Sequence, residues 1–192
     1  IGNFDGVHLS HQHICRKLAT EAKKAGQKSL VITFDPHPKM ILHPNIKPFY
    51  LITTRAEKLE FLEKCGVDAT VVIAFDQHYS KTTAEAFVQD FLWGKLAISK
   101  IIIGHDYVFG QARQGNDALL KAKGRRLGFS VEVIPAFKID DEIVSSTLIR
   151  NCILEGDVRK ATKLMGRPYN VTGIVGSGAG RGAGLGFPTA NI

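Results

Sequence analysis

Four short apolar runs rich in β-branched residues, each separated from the next by a stretch of helical spacing, restrict this chain to an α/β fold. They are Leu30–Phe34 (LVITF), Val71–Phe75 (VVIAF), Ile101–Gly104 (IIIG) and Val131–Ile134 (VEVI). The first three are nearly continuous in apolar residues, which predicts strands buried on both faces. Helices are predicted over Gln12–Ala25, Thr54–Cys65, Ala84–Trp93 and Asp117–Leu127. Gly26, Gly66, Gly94 and Gly128 stand where left-handed C-caps belong. Such alternation gives a parallel sheet covered on both faces, with ligands beyond the carboxyl ends of its strands. Helical spacing returns over Ser145–Met165, broken at Gly156-Asp157. Gly166-Arg167-Pro168 then marks a domain boundary. Tyr169–Val175 reads as β-like, and six glycines fall between Gly176 and Gly186.

A length of 192 residues suits one full domain and part of another. Residue 1 is Ile and a glycine loop follows at once. In an α/β fold such a loop follows a strand, so the expectation is a fragment lacking most of its first strand. No stretch approaches a membrane span or a signal peptide. Cys15, Cys65 and Cys152 match no metal or disulfide spacing, and read as buried thiols in a reducing cytoplasm. The net charge is +7, but lysines and arginines are scattered and not interleaved with aromatics. The expected partners are therefore small anions, with neither nucleic acid nor membrane.

The loops carry the unusual residues. Gly2–His11 reads GNFDGVHLSH, with His8 and His11 just before a helical run. Free backbone N–H groups at a helix start favour an anion, and imidazoles can donate to phosphate oxygens, as cations where the site raises their pKa. From the residues alone, a pair of surface histidines on a turn fits equally well. Phe34-Asp35-Pro36-His37-Pro38 is a rigid extended strand exit. Gly104–Gly110 (GHDYVFG), with Arg113 beyond it, follows the third strand and reads as a nucleotide contact or a plain turn. In Val144–Arg150 (VSSTLIR), Ser145 or Ser146 caps a helix, and Arg150 shares a face with Ser146 and Thr147.

Taken together, these strings resemble the bacterial bifunctional riboflavin kinase/FAD synthetase family, over almost the whole chain. Gly2–His11 resembles its His-x-Gly-His nucleotidylyltransferase phosphate motif, Phe34–Pro38 its Phe-x-Pro-His-Pro loop and Val144–Arg150 its Ile-Ser-Ser-x-x-Ile-Arg signature. Gly178–Gly182 and Pro188–Asn191 resemble the phosphate loop and Pro-Thr-Ala-Asn segment of riboflavin kinases. The resemblance implies a Rossmann-like nucleotidylyltransferase domain with a parallel sheet over 1–165, then the start of a β-barrel riboflavin kinase domain over 166–192. It implies transfer of AMP from MgATP to FMN, giving FAD and pyrophosphate, and phosphorylation of riboflavin in the parent protein.

The implied catalytic set is His8, His11 and Arg150. The implied ATP contacts add Gly2, Asn3, Phe4, Asp5, Gly6, Asp106, Arg113, Ser146 and Thr147. Flavin contacts would come from Phe34, Pro36, His37, Tyr107 and Phe109. The kinase phosphate and Mg²⁺ contacts would be Gly178, Gly180, Arg181, Gly182, Thr189 and Asn191. Three departures from the family stand out: Ser10 and Ala183, where Gly and often Arg are usual, and Tyr107, where Phe is usual. Ser10 leaves open a related transferase with another acceptor, or a non-catalytic nucleotide- or flavin-binding protein.

Overall fold

The structure is a computed structural model that describes residues 1–45, 49–187 and 189. Its elements run α1 (Leu9–Lys24), β1 (Leu30–Asp35), α2 (Pro38–Leu42), α3 (Arg55–Glu63), β2 (Ala69–Ala74) and α4 (Ala84–Ala86). Then follow β3 (Lys100–Gly104), α5 (Asp117–Leu127), β4 (Ser130–Ile134), a hairpin of β5 (Lys138–Ile139) and β6 (Glu142–Ile143), α6 (Ser146–Leu154), α7 (Val158–Met165) and α8 (Arg181–Gly184). β1 pairs with β2 in parallel from Leu30↔Ala69 to Asp35↔Ala74, and β3 with β4 from Lys100↔Ser130 to Gly104↔Ile134. The predicted parallel strands are present, with ends shifted by one or two residues.

The first residues run alongside β1 in the same direction. Gly2 N–H donates to the Ile32 carbonyl (3.0 Å), and the Thr33 hydroxyl to the Asn3 carbonyl (3.1 Å). Parallel direction puts the Phe4–His8 loop at the carboxyl end of β1. Between β1 and β3 lies a groove of about 680 Å³, lined by Ile1, Leu18, Ile32, Leu92 and Ile101 among others.

Three apolar clusters hold the layers. One surrounds the strands (Ile32, Ile73, Val88, Leu92, Ile103, Leu120), one lies under α1 and α3 (Phe4, Val7, Cys15, Val31, Leu62), and one joins α6 and α7 to Ile52 (Ile149, Cys152, Leu164, Met165). All three cysteines are buried free thiols.

Three expectations need correction, and one hairpin was not foreseen. α1 starts at Leu9, not Gln12, because the His8 side chain accepts the His11 amide and caps the helix. Gly94 is not a C-cap: the helix continues past α4 as a π-helix over Phe87–Lys95, and Ala97 (φ 47°) takes the left-handed position instead. The β5–β6 hairpin escaped the periodicity because each strand is two residues long; it turns through Asp140 and Asp141, both at positive φ. Residues 169–175 form no strand: Val171, Ile174 and Val175 are exposed, and no strand among the described residues pairs with them. Beyond residue 165 the named regular structure among the described residues is α8.

The C-caps test the packing around the loop. Gly128 (φ +85°) has open space at its Cβ position, whereas a Cβ on Gly166 (φ +70°) would sit 2.5 Å from Leu9 Cδ2. Gly128→Ala should cost about 1 kcal/mol, the left-handed penalty alone. Gly166→Ala should cost more, by the displacement of Leu9 at the start of α1. Urea unfolding midpoints of the two variants measure the difference.

Candidate active site

The loop entering α1 is strained and held from all sides. Phe4 (φ 50°) and Val7 (φ 34°) occupy the left-handed region that side chains avoid. Both are buried, at 3% and 0% exposure, so core packing enforces the turn. Gly6 (φ +83°) between them meets Ile52, whose Cγ2 would lie 3.0 Å from an added Cβ. The loop's carbonyls are claimed by distant residues. Asp5 O accepts from the Ser146 hydroxyl (2.8 Å), Gly6 O from Arg167 (2.7 Å), and Val7 O from Arg167 (3.2 Å) and Gln12 (2.9 Å). What the turn presents outward is the N-terminus of α1, where first-turn N–H groups have no intrahelical acceptor.

His8 and His11 stand at that N-terminus with rings stacked, centroids 3.6 Å apart at 17°. His11 also meets Phe4 edge-on at 5.0 Å. Burial, reinforced by the Arg167 charge, pushes His8 down to about 3. Burial, then the His8 charge, lowers His11 well below its ordinary value. The site lowers rather than raises both values, so near neutrality both rings are neutral. His8 Nδ1 accepts the His11 amide (3.4 Å), which assigns the ring proton to Nε2 and makes that atom a donor. His11 Nδ1 is buried without a partner among the described residues.

Asp5 and Arg150 are brought together, but in roles other than those expected. Asp5 is buried; its carboxylate accepts from Ile52 N (2.9 Å), Thr53 N (3.3 Å) and Arg150 (2.6 Å). Arg150 also donates to Tyr50 O (2.7 Å) and lies 4.6 Å from the Phe49 ring centroid. Here Arg150 is not a free phosphate fork: its charge is matched by Asp5, and its fork braces the 49–53 segment. Ser146 turns to Asp5 O; Ser145, not Ser146, caps α6; and Thr147 is exposed. Gly2 and Asn3 supply backbone to the β1 edge.

After β1, Phe34 packs edge-on against Phe75 (5.7 Å), Pro36 is exposed, and buried His37 caps α2 while touching Phe49 (4.8 Å). Burial pushes His37 down to about 4. Asp106 and Arg113 are exposed beyond β3. Tyr107 and Phe109 are corrected as flavin platforms. Phe109 is a core residue at 8% exposure, Tyr107 stacks on it at 5.5 Å with its hydroxyl buried, and burial raises the tyrosine pKa. Their ring faces are taken up by the cluster around the strands. Gly178, Gly180, Arg181 and Thr189 are exposed and Gly182 half-buried, in a segment with no shown contact to the α1 loop; Asn191 lies outside the described residues.

Several residues escaped sequence reasoning. Arg167 was visible only as part of a boundary tripeptide. Thr53, whose hydroxyl accepts the Gly6 amide (3.1 Å), carries no local signal. Lys58 had one: it shares the inward face of α3 with Leu62, four residues on. It is buried, donates to Phe34 O (3.0 Å), and its pKa is lowered by burial.

Fold and site together define a mixed α/β protein with parallel strands, in which His8 and His11 stand stacked at the start of α1 beyond β1. The family model described as FAD synthetase matches residues 1–148, and that described as riboflavin kinase matches 165–192. The chain belongs to the FAD synthetase family. It is similar to proteins named bifunctional riboflavin kinase/FMN adenylyltransferase: 38% identical over 192 residues in Haemophilus influenzae, 40% over 193 in Buchnera aphidicola and 34% over 192 in Escherichia coli. Each match covers 100% of this chain and 61–62% of the relative. A crystal structure described as a macrolide-efflux protein from Streptococcus pneumoniae superposes with a TM-score of 0.84 at 31% identity, over 100% of this chain and 62% of that one. Among the described residues no helix is long and apolar enough to cross a membrane.

The site yields two predictions. Above pH 6.5, His8 is neutral folded or unfolded, and pH has no effect through it. Below 6.5 the unfolded chain binds a proton that folded His8 refuses until about pH 3. Stability should therefore fall by about tenfold in the folding equilibrium per pH unit through this group alone. Thermal melts from pH 7 to 4.5 should show this slope, reduced in His8→Gln. Asp5→Ala should destabilise by about 3–5 kcal/mol by stranding Arg150, with much of the loss recovered in Asp5→Ala/Arg150→Met. Chemical denaturation of the double-mutant cycle measures the coupling.

Proposed function

We propose that this chain transfers AMP from MgATP to FMN, giving FAD and pyrophosphate, with residues 1–165 as the FMN adenylyltransferase domain. The observation that carries the reading is the strained Phe4–Val7 turn. It delivers two stacked neutral imidazoles to the start of a 16-residue helix in a chain of the FAD synthetase family. Adenylyl transfer needs positioning and charge stabilisation more than covalent help. An FMN phosphate oxygen attacks the α-phosphorus, a new P–O bond forms, and the bond to the β-phosphate oxygen breaks, releasing pyrophosphate with Mg²⁺.

In this reading His8 and His11 donate N–H to the phosphates, and the first-turn amides of α1 hold the developing charge. Arg150 acts from behind, through Asp5. Mg²⁺ is read as part of the MgATP substrate, held mainly by phosphate oxygens and water. Asp106 and Arg113 are the residues proposed to reach the nucleotide beyond β3, and Phe34, Pro36 and His37 those proposed to border the flavin.

Residues 166–192 are read as the start of the riboflavin kinase domain, so the parent protein would also make FMN from riboflavin and ATP. The support is the riboflavin kinase match over 165–192. The chain spans about 62% of the length of the curated relatives it matches. Its partners are read as ATP, FMN and riboflavin, and its compartment as the reducing cytoplasm, which the three buried free thiols suit.

Ser10 sits in the first turn of α1 with helical backbone, a conformation that does not require glycine. FAD formation from FMN and MgATP, followed by flavin separation and pyrophosphate release, is the test. Ser10→Gly should leave the rate within a few-fold, whereas His11→Ala should lower kcat about 10²–10³-fold, as loss of one transition-state donor does. ATP binding without FAD in both the unaltered chain and Ser10→Gly would point to another acceptor. FAD formed only by Ser10→Gly would mark this copy as impaired at its phosphate loop.

A further inference from the structure

Arg167 lies outside the residues matched as FAD synthetase and just inside those matched as riboflavin kinase. Its contacts nevertheless belong to the opening loop. Nη2 donates to Gly6 O at 2.7 Å and Nη1 to Val7 O at 3.2 Å, and the guanidinium lies 3.8 Å from the Phe61 ring centroid. Two parallel donors on consecutive carbonyls, with an aromatic face beneath, use the planar fork of arginine; an ammonium cannot reproduce them. Gly166, left-handed at φ +70°, ends α7 immediately before Arg167. Gln12 closes the same corner from α1, donating to both Val7 O and Met165 O at 2.9 Å. The carbonyls so held belong to the two residues before His8, and Val7 carries backbone strain that relaxes once its partners are lost.

We propose that Arg167 is a positioning residue for adenylyl transfer, fixing the Gly6–Val7 turn and through it the His8 ring, so that the segment matched as riboflavin kinase completes the transferase site. The proposal rests on the adenylyltransferase reading. It places a permanent positive charge behind the phosphate loop and makes the residue after the α7 cap a working part of the first domain.

The test compares Arg167→Ala and Arg167→Lys with the unaltered full chain, well below the unfolding midpoint of each. Steady-state constants for MgATP and FMN are measured alongside calorimetric affinity for a non-hydrolysable ATP analogue. Arg167→Ala should lower kcat about 10²-fold and weaken the analogue about tenfold, with the KM for FMN unchanged, as a misplaced positioning group does. Arg167→Lys keeps the charge and one carbonyl contact and should recover part of both losses. A lowered unfolding midpoint with unchanged kcat per folded molecule would make the contact merely structural and overturn the proposal. Should Arg167→Ala not fold, Arg167→Lys decides alone: kcat equal to the unaltered chain overturns the proposal, and a loss confined to kcat and ATP affinity sustains it. If the unaltered chain makes no FAD, the adenylyltransferase reading falls separately. Arg167 is then judged by the analogue affinities, where equal values in all three proteins overturn it and the graded loss sustains the bracing of the loop.

Discussion

Burial of Phe4 and Val7 holds a backbone turn that its own dihedral angles oppose, and the site depends on that turn. Two non-glycine residues in the left-handed region cost on the order of 1–3 kcal/mol each. Complete burial of a Phe and a Val side chain contributes roughly 1.5–3 kcal/mol each, so packing alone about balances the strain. The surplus comes from the carbonyls: Asp5, Gly6 and Val7 each accept from a side chain elsewhere in the chain. The loop is therefore stable only while the elements that supply those donors are docked. Its rigidity is a property of the whole domain, not of the ten residues that form it.

The electrostatics follow from the same burial. An imidazolium stacked 3.6 Å from a second ring, beside a guanidinium, would be a desolvated charge facing like charge. Neutral rings avoid that cost and keep an N–H donor for an anion. Positive charge at the loop comes instead from the Arg150 and Arg167 guanidiniums. Asp5 offsets Arg150 directly. The loop thus combines guanidiniums behind with neutral imidazoles in front.

Much of the framework was legible because periodicity and end signals are local. α5 spans the predicted Asp117–Leu127 with Gly128 as its left-handed cap, and the four predicted strands pair in parallel. Gly94 misled because a π-helix shifts the backbone pattern by one residue, which apolar spacing does not register. The 169–175 run misled because alternation predicts a strand only where a partner strand exists. In the site, His8, His11, Asp5, Ser146 and Arg150 were legible as a group, but their partners were not. Arg150 looked free because its ion pair with Asp5 joins residues 145 positions apart. Tyr107 and Phe109 looked like platforms because an aromatic at a strand end reads the same whether its ring faces a ligand or the core.

Sequence separation also explains why the site and the fold stand or fall together. The contacts that fix the loop join residues 141 (Asp5–Ser146), 145 (Asp5–Arg150) and 161 (Gly6–Arg167) positions apart, and Gln12 reaches Met165 across 153. All of these distant partners come from α6, α7 or the residue after the α7 cap. These helices form their own apolar cluster, joined to the rest through Ile52, the residue that also packs on Gly6 and whose amide serves Asp5. Opening of that cluster would withdraw the donors to the Asp5 and Gly6 carbonyls and leave Val7 O with Gln12 alone, which would let the strained turn relax. Local opening of a peripheral unit costs less than global unfolding. The order of the Phe4–His8 loop is therefore set jointly by the docking of α6 and α7, which supply its carbonyl donors, and by the packing of Phe4 and Val7 against Val31 of β1.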